Sequence, residues 1–105
     1  MRGVLLVVEF TAISNTAAER VARVLDGFLG ATPAPGGLLS YWVVRHGEHT
    51  TRVLVVEEWT DAALQQASIA RPEFAAVMHE LAPLLAAQPN GDSYDVVTAG
   101  PVRST

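Results

Sequence analysis

The stretch VLVVEEWTDAALQQA, residues 53–67, decides the fold of this chain. Val53, Leu54, Val55 and Val56 are strand-forming and apolar on both alternating faces. They give way to two carboxylates, Glu57 and Glu58, then to Trp59. Thr60 and Asp61 follow as a helix-cap pair, and a helix is expected over 60–70. A buried strand thus hands over to a helix, with acidic and aromatic side chains at the junction. That junction is where a site is expected.

Upstream, GVLLVVEFTAI (3–13) reads as a first strand. The opening MRGVLLVVEF meets Glu9 too early, and lacks the small-residue cleavage site, for a signal peptide. Ser14, Asn15 and Thr16, with Glu19 three residues beyond Thr16, form a capping-box signature. Ala17, Val21, Val24, Leu25 and Phe28 then recur at helical spacing up to Gly30. The segment 31–37 is a loop, carrying two prolines and two glycines. Residues 38–46 and 51–59 form a hairpin across a turn at 47–50. Pro72 is placed as the first residue of a further helix, whose stripe is Phe74, Val77, Met78, Leu81 and Leu85. Pro83 should kink that helix or cut it short, having no N–H for the carbonyl of His79. QPNGD (88–92) is expected as a turn, 93–100 as the last strand, and 101–105 as a loose tail.

The order is βαββαβ: a ferredoxin-like α+β domain with a four-stranded antiparallel sheet, spanning residues 1–105 as one unit. Val4, Leu6 and Val8 lie on one face of the first strand, Leu5 and Val7 on the other. The third strand repeats the pattern, with Val53 and Val55 against Leu54 and Val56. The chain's own helices can cover only one such face. The other is expected to meet a second copy, giving a homodimer packed sheet to sheet.

Composition narrows the function. Of 105 residues, 50% are apolar and 17% charged, which describes a globular domain. Eleven acids against seven arginines, with no lysine, give a net charge of −4 and no basic stripe, so nucleic acid is not an expected partner. There is no cysteine, which excludes thiolate chemistry and cysteine-held metals. No stretch approaches the roughly 20 apolar residues of a membrane span. A cytoplasmic protein is expected.

Several side chains could carry chemistry. Trp59 shares a face with Glu57, and is either a planar wall with an N–H donor for an aromatic ligand or a core residue. Glu57 is either a buried base or an ordinary carboxylate paired with Arg52 or Arg45. Tyr41 and Trp42 are adjacent in a strand, so one faces the helices and the other the dimer face; the register decides which. His46 and His49 flank the hairpin turn without a third ligand, a poor metal site. His79 is chemically apt as a base but lies off the apolar stripe of its helix.

Over residues 57–85 the chain resembles the antibiotic biosynthesis monooxygenase family, on Glu57-x-Trp59, Pro72-x-Phe74 and Leu84-Leu85. The resemblance implies a dimeric α+β barrel with a cavity between sheet and helices in each protomer. Members of the family include cofactor-free oxygenases that convert anthrones or quinols to quinones, and haem-degrading enzymes. This chain departs from them at Ser68, where many members have histidine, and at Val55, where anthrone-oxidising members have asparagine. Leu64 or Gln65 falls where those members place a tyrosine, and Met78 or His79 near their arginine. The expected function is a cofactor-independent monooxygenase acting on a small aromatic or polyketide-like phenol, anthrone or quinol, with no cofactor and no metal. His79 or Glu57 would be the base, and Trp59, Tyr41, Trp42, Ser68 and Met78 would form the pocket. The alternative is a non-catalytic or cyclase-like dimeric module that binds aromatic ligands in the same cavity.

Overall fold

A computed structural model describes residues 3–32 and 36–102. Strand β1 (Val4–Thr11) leads into α1 (Asn15–Gly30), β2 (Leu38–Arg45) and β3 (Arg52–Trp59). Helices α2 (Ala62–Ile69) and α3 (Pro72–Leu81) follow, then a 3-10 turn (Ala82–Leu84) and β4 (Asn90–Asp95). The strands form one antiparallel sheet in the order β2-β3-β1-β4, the ferredoxin-like arrangement. The prolines of the expected loop at 31–37 and the last residues of the expected tail lie outside the described residues.

The core forms where α1 crosses the sheet. Ala17, Ala18, Val21, Leu25 and Leu29 line the buried face of α1 and pack on Phe10, Ala12, Val53 and Val55, with Leu81 arriving from α3. The buried face thus runs from small residues, Ala17 and Ala18, in the first turn of α1 to larger ones, Val21, Leu25 and Leu29, beyond. At the other end, Gly37 has φ 90°, and a Cβ there would meet Leu64 Cδ1 at 2.7 Å, so the loop entering β2 needs glycine.

Helix α2 starts as its sequence implies, with Asp61 Oδ1 accepting from Leu64 N at 2.9 Å. Pro72 occupies the first turn of α3, and Pro83 falls in the 3-10 turn that ends it. Two boundaries differ from expectation. The cap of α1 is Ser14, whose Oγ accepts from Ala17 N at 3.0 Å, so Thr16 and Glu19 lie inside the helix and form no capping box. Strand β4 begins at Asn90, three residues earlier than 93–100 and inside the expected turn. Its pairing with β1 runs from Glu9 opposite Asn90 to Val4 opposite Asp95, and past Val4 little of β1 is left to pair with. The Asn-Gly signal was misleading here: Gly91 lies opposite Val8, where a Cβ would come within 3.3 Å of Val8 Cγ2.

The face of the sheet turned away from the helices carries Leu5, Val7, Leu54 and Val56, with Val7 and Trp42 both opposite Val56. Trp42 is 52% exposed and Tyr94, opposite Leu5, is 53% exposed. Polar groups flank this band: Arg52 reaches Glu9 at 2.6 Å, and Ser40 Oγ donates to Glu58 Oε1 at 3.0 Å.

Candidate functional site

Between the helix-side face of the sheet and the three helices lies a largely apolar cavity of about 180 Å³. Its floor is Leu6, Val8 and Phe10 of β1 with Val55, Glu57 and Trp59 of β3. Leu25, Phe28 and Leu29 of α1 form one wall; Gln65, Ser68 and Ile69 of α2, with Phe74, Val77 and Met78 of α3, form the others, and Pro89 closes the list of lining groups. The positions on α2 and α3 stand at i, i+3 and i+4, so each helix presents one continuous strip. Phe28 and Phe74 meet edge to face, centroids 6.3 Å apart, joining the walls of α1 and α3.

Polar groups enter this lining mainly from β3 and α2. Trp59 is 2% exposed, and its Nε1–H donates to Glu57 Oε1 at 2.9 Å. The indole N–H is thereby committed to the carboxylate, and what Trp59 presents to the cavity is ring surface. Burial pushes the Glu57 carboxyl above its ordinary value, partly opposed by the Trp59 hydrogen bond. The arginines that sequence offers as partners are engaged elsewhere. Arg52 projects to the opposite face and pairs with Glu9, while Arg45 donates to Thr50 O at 2.9 and 2.7 Å. Among the described residues Glu57 is therefore a carboxylate with a single neutral donor, a state in which it attracts protons.

Gln65 is the other polar feature. It is 5% exposed and is the one buried polar side chain among the described residues. Its Oε1 accepts from Gln66 Nε2 at 3.2 Å. Sequence reading passed over it except as a family position, because α2 has a weak helical pattern. The signal that could have found it is spacing: Gln65 shares one helical strip with Ser68 and Ile69.

Of the residues singled out from sequence, Trp59, Glu57, Ser68 and Met78 line the cavity together. Tyr41, Trp42 and His79 do not. A bulge between Leu38 and Ser40 shifts the alternation of β2 by one, which turns Tyr41 to the helix side and Trp42 outward. Tyr41 is drawn to the surface of α1, where its hydroxyl donates to Asp26 Oδ1 at 2.8 Å; that bond holds its phenol above the ordinary range, helped by burial and the Asp26 charge. His79 is exposed on α3, because the residue after Met78 points about 100° away from the strip. In the hairpin, His46 Nδ1 accepts backbone N–H bonds from Glu48 and His49 at 3.1 and 2.9 Å, so the His46 side chain holds the turn. No cluster of three or more metal-ligating side chains occurs among the described residues, and no helix there is long and apolar enough to cross a membrane.

Solved structures with this fold are numerous. A candidate antibiotic biosynthesis monooxygenase of Deinococcus radiodurans superposes with a TM-score of 0.82 at 20% identity, covering 96% of this chain and 99% of that one. A Nitrosomonas europaea protein of unknown function gives 0.78 at 23% identity, with 99% and 98% covered. SnoaB, a cofactor-independent oxygenase from Streptomyces nogalater, gives 0.72 at 21% identity, with 97% of each chain covered. At these identities the likeness concerns the fold. No curated protein sequence matches the chain. The sequence profile of the antibiotic biosynthesis monooxygenase family matches residues 3–80, most of the chain including both strands and all the helix starts that build the cavity, and the chain belongs to that family.

Proposed function

We propose that this protein is a cofactor-independent monooxygenase that oxidises a small electron-rich phenol or quinol inside the cavity. The observation that carries the reading is Glu57: a partly buried carboxylate, its proton affinity raised by burial, set among apolar and aromatic side chains and held by Trp59. Such a group takes the proton of a phenolic hydroxyl more readily than a solvated glutamate does. The phenolate is electron-rich at ring carbon and can bond directly to O2. The resulting hydroperoxide loses water, so that a phenol and O2 become a quinone and H2O, while a quinol, which already carries both quinone oxygens, and O2 become a hydroxyquinone and H2O. O2 is the sole oxidant, with one oxygen atom kept in the product and one released in water. The apolar lining favours this course by keeping water from the reactive anion. The description of SnoaB as a cofactor-independent oxygenase on the same fold supports the reading.

The protein would act as a homodimer. Trp42, Val44, Leu54 and Val56 form a partly exposed apolar band on the outer face of the sheet, of the kind that a second copy covers.

The test is oxygen consumption with hydroquinone and with anthrone. With hydroquinone, wild type should consume oxygen above the buffer rate, Glu57→Gln should lose at least a hundredfold of that rate, and His79→Ala should retain it. Consumption equal to buffer with both compounds, together with ligand-induced thermal stabilisation, would replace the enzyme with the alternative, a non-catalytic module binding aromatic ligands in the same cavity.

A further inference from the structure

Resting on the reading of this cavity as the ligand site, we propose that it takes a single aromatic ring bearing a phenolic hydroxyl, and that Gln65 is the residue that selects for that oxygen. Two observations lead there. The first is size. An apolar protein cavity of about 150 Å³ takes up benzene, and this one measures about 180 Å³. A fused three-ring framework is more than twice the size of benzene, so it needs space that the Phe28–Phe74 pair now fills.

The second is an unused donor. Gln65 is buried, and its Oε1 is engaged by Gln66. No acceptor takes its Nε2–H groups among the described residues, yet no fully buried side-chain nitrogen or oxygen there lacks a partner. The Nε2 atom therefore opens onto accessible space, and the residue lines the cavity. A donor left without an acceptor in a residue that lines an apolar cavity gains a hydrogen bond when a ligand oxygen arrives there. Glu57 supplies the complementary acceptor from β3, the strand against which α2 packs. A phenolic hydroxyl satisfies both kinds of group: its hydrogen goes to the carboxylate and its lone pair receives the amide N–H. When the proton has moved to Glu57, the same N–H faces a phenolate oxygen and holds it more strongly. A hydrocarbon ring satisfies neither group.

Equilibrium binding under nitrogen separates this from the oxygenase reading. Hydroquinone, toluene and anthrone are titrated into the full-length protein by calorimetry, with wild type, Gln65→Leu and Phe74→Ala. Wild type is expected to bind hydroquinone at least tenfold tighter than anthrone. Gln65→Leu should weaken hydroquinone about tenfold while leaving toluene unchanged, a difference that mere loosening of α2 would not produce. Phe74→Ala should admit anthrone. Anthrone binding wild type as tightly as hydroquinone overturns the size limit without needing any variant, and equal loss of hydroquinone and toluene in Gln65→Leu overturns the role of the amide. Hydroquinone binding as expected without oxygen consumption would leave this inference standing and remove the oxygenase. Anthrone oxidised by a protein that does not bind hydroquinone would do the reverse.

Discussion

Replacing Trp59 with phenylalanine tests the pair that organises the site. The indole N–H is the donor to Glu57 Oε1, at 2.9 Å, and the ring is 2% exposed. Phenylalanine keeps an aromatic ring but deletes the N–H and leaves a void the size of the lost ring portion. Loss of a hydrogen bond to a charged acceptor costs about 1.5–3 kcal/mol, and among the described residues no cation pairs with the partly buried carboxylate. The smaller ring adds roughly 1–2 kcal/mol for lost contacts and cavity. The variant should thus lose about 2.5–5 kcal/mol, a large share of the roughly 5–15 kcal/mol available to a domain. The diagnostic quantity is the coupling. In a Glu57→Gln background the acceptor is neutral, the lost bond is worth about 0.5–1.5 kcal/mol, and Trp59→Phe should cost about 1 kcal/mol less than in wild type. Urea unfolding of the four proteins at one fixed protein concentration measures it. Equal costs of Trp59→Phe in both backgrounds would refute the reasoning, since the indole would then act through packing alone.

Three further outcomes follow from the geometry. Glu57 has a raised folded-state pKa, so the stability tied to its protonated form is present below pH 4.5, the ordinary glutamate value, and is lost as pH rises through the folded value. Glu57→Gln should flatten that decline in the urea midpoint, and an unchanged decline would place its origin elsewhere. Tyr41, hydrogen-bonded to Asp26, should titrate by NMR above the ordinary phenol value of 10.0, and Asp26→Asn should move it back; no movement would discount the hydrogen bond. Trp42→Arg puts a charge in the middle of the outer apolar band and should shift the protein from dimer to monomer in light scattering at micromolar concentration, while a variant that stays dimeric would locate the interface away from this face.

The element order was legible because its signals are local. Alternating apolar residues mark β1 and β3, Asp61 caps α2, Pro72 opens α3 and Pro83 sits in the turn that ends it. The shared face of Glu57 and Trp59 also follows from strand alternation alone. The orientation of Tyr41 and Trp42 does not. One extra residue at the β2 bulge reverses both side chains, and neither Leu38, Leu39 nor Ser40 announces a bulge. The start of β4 was hidden for a related reason: Asn90-Gly91 is a turn signal in isolation, but pairing with Val8 and Glu9 overrides it. Gln65 was hidden because a polar residue on a weakly patterned helix reads as solvent-facing until the sheet beneath it is in place. Local chemistry thus marked the strand–helix junction that lines the cavity, and long-range pairing determined which side chains reach it.

The central claim is that the carboxylate beside Trp59 lets O2 oxidise a phenol in this cavity. Its most direct measurement is mass spectrometry of the hydroxyquinone formed from hydroquinone under isotopically heavy oxygen gas, with a chelator present. The account predicts one heavy oxygen atom in each hydroxyquinone molecule, one O2 consumed per hydroxyquinone with the second heavy atom in water, and loss of both in Glu57→Gln. Quinone formed without heavy oxygen, or at the same rate in Glu57→Gln as in wild type, would contradict it.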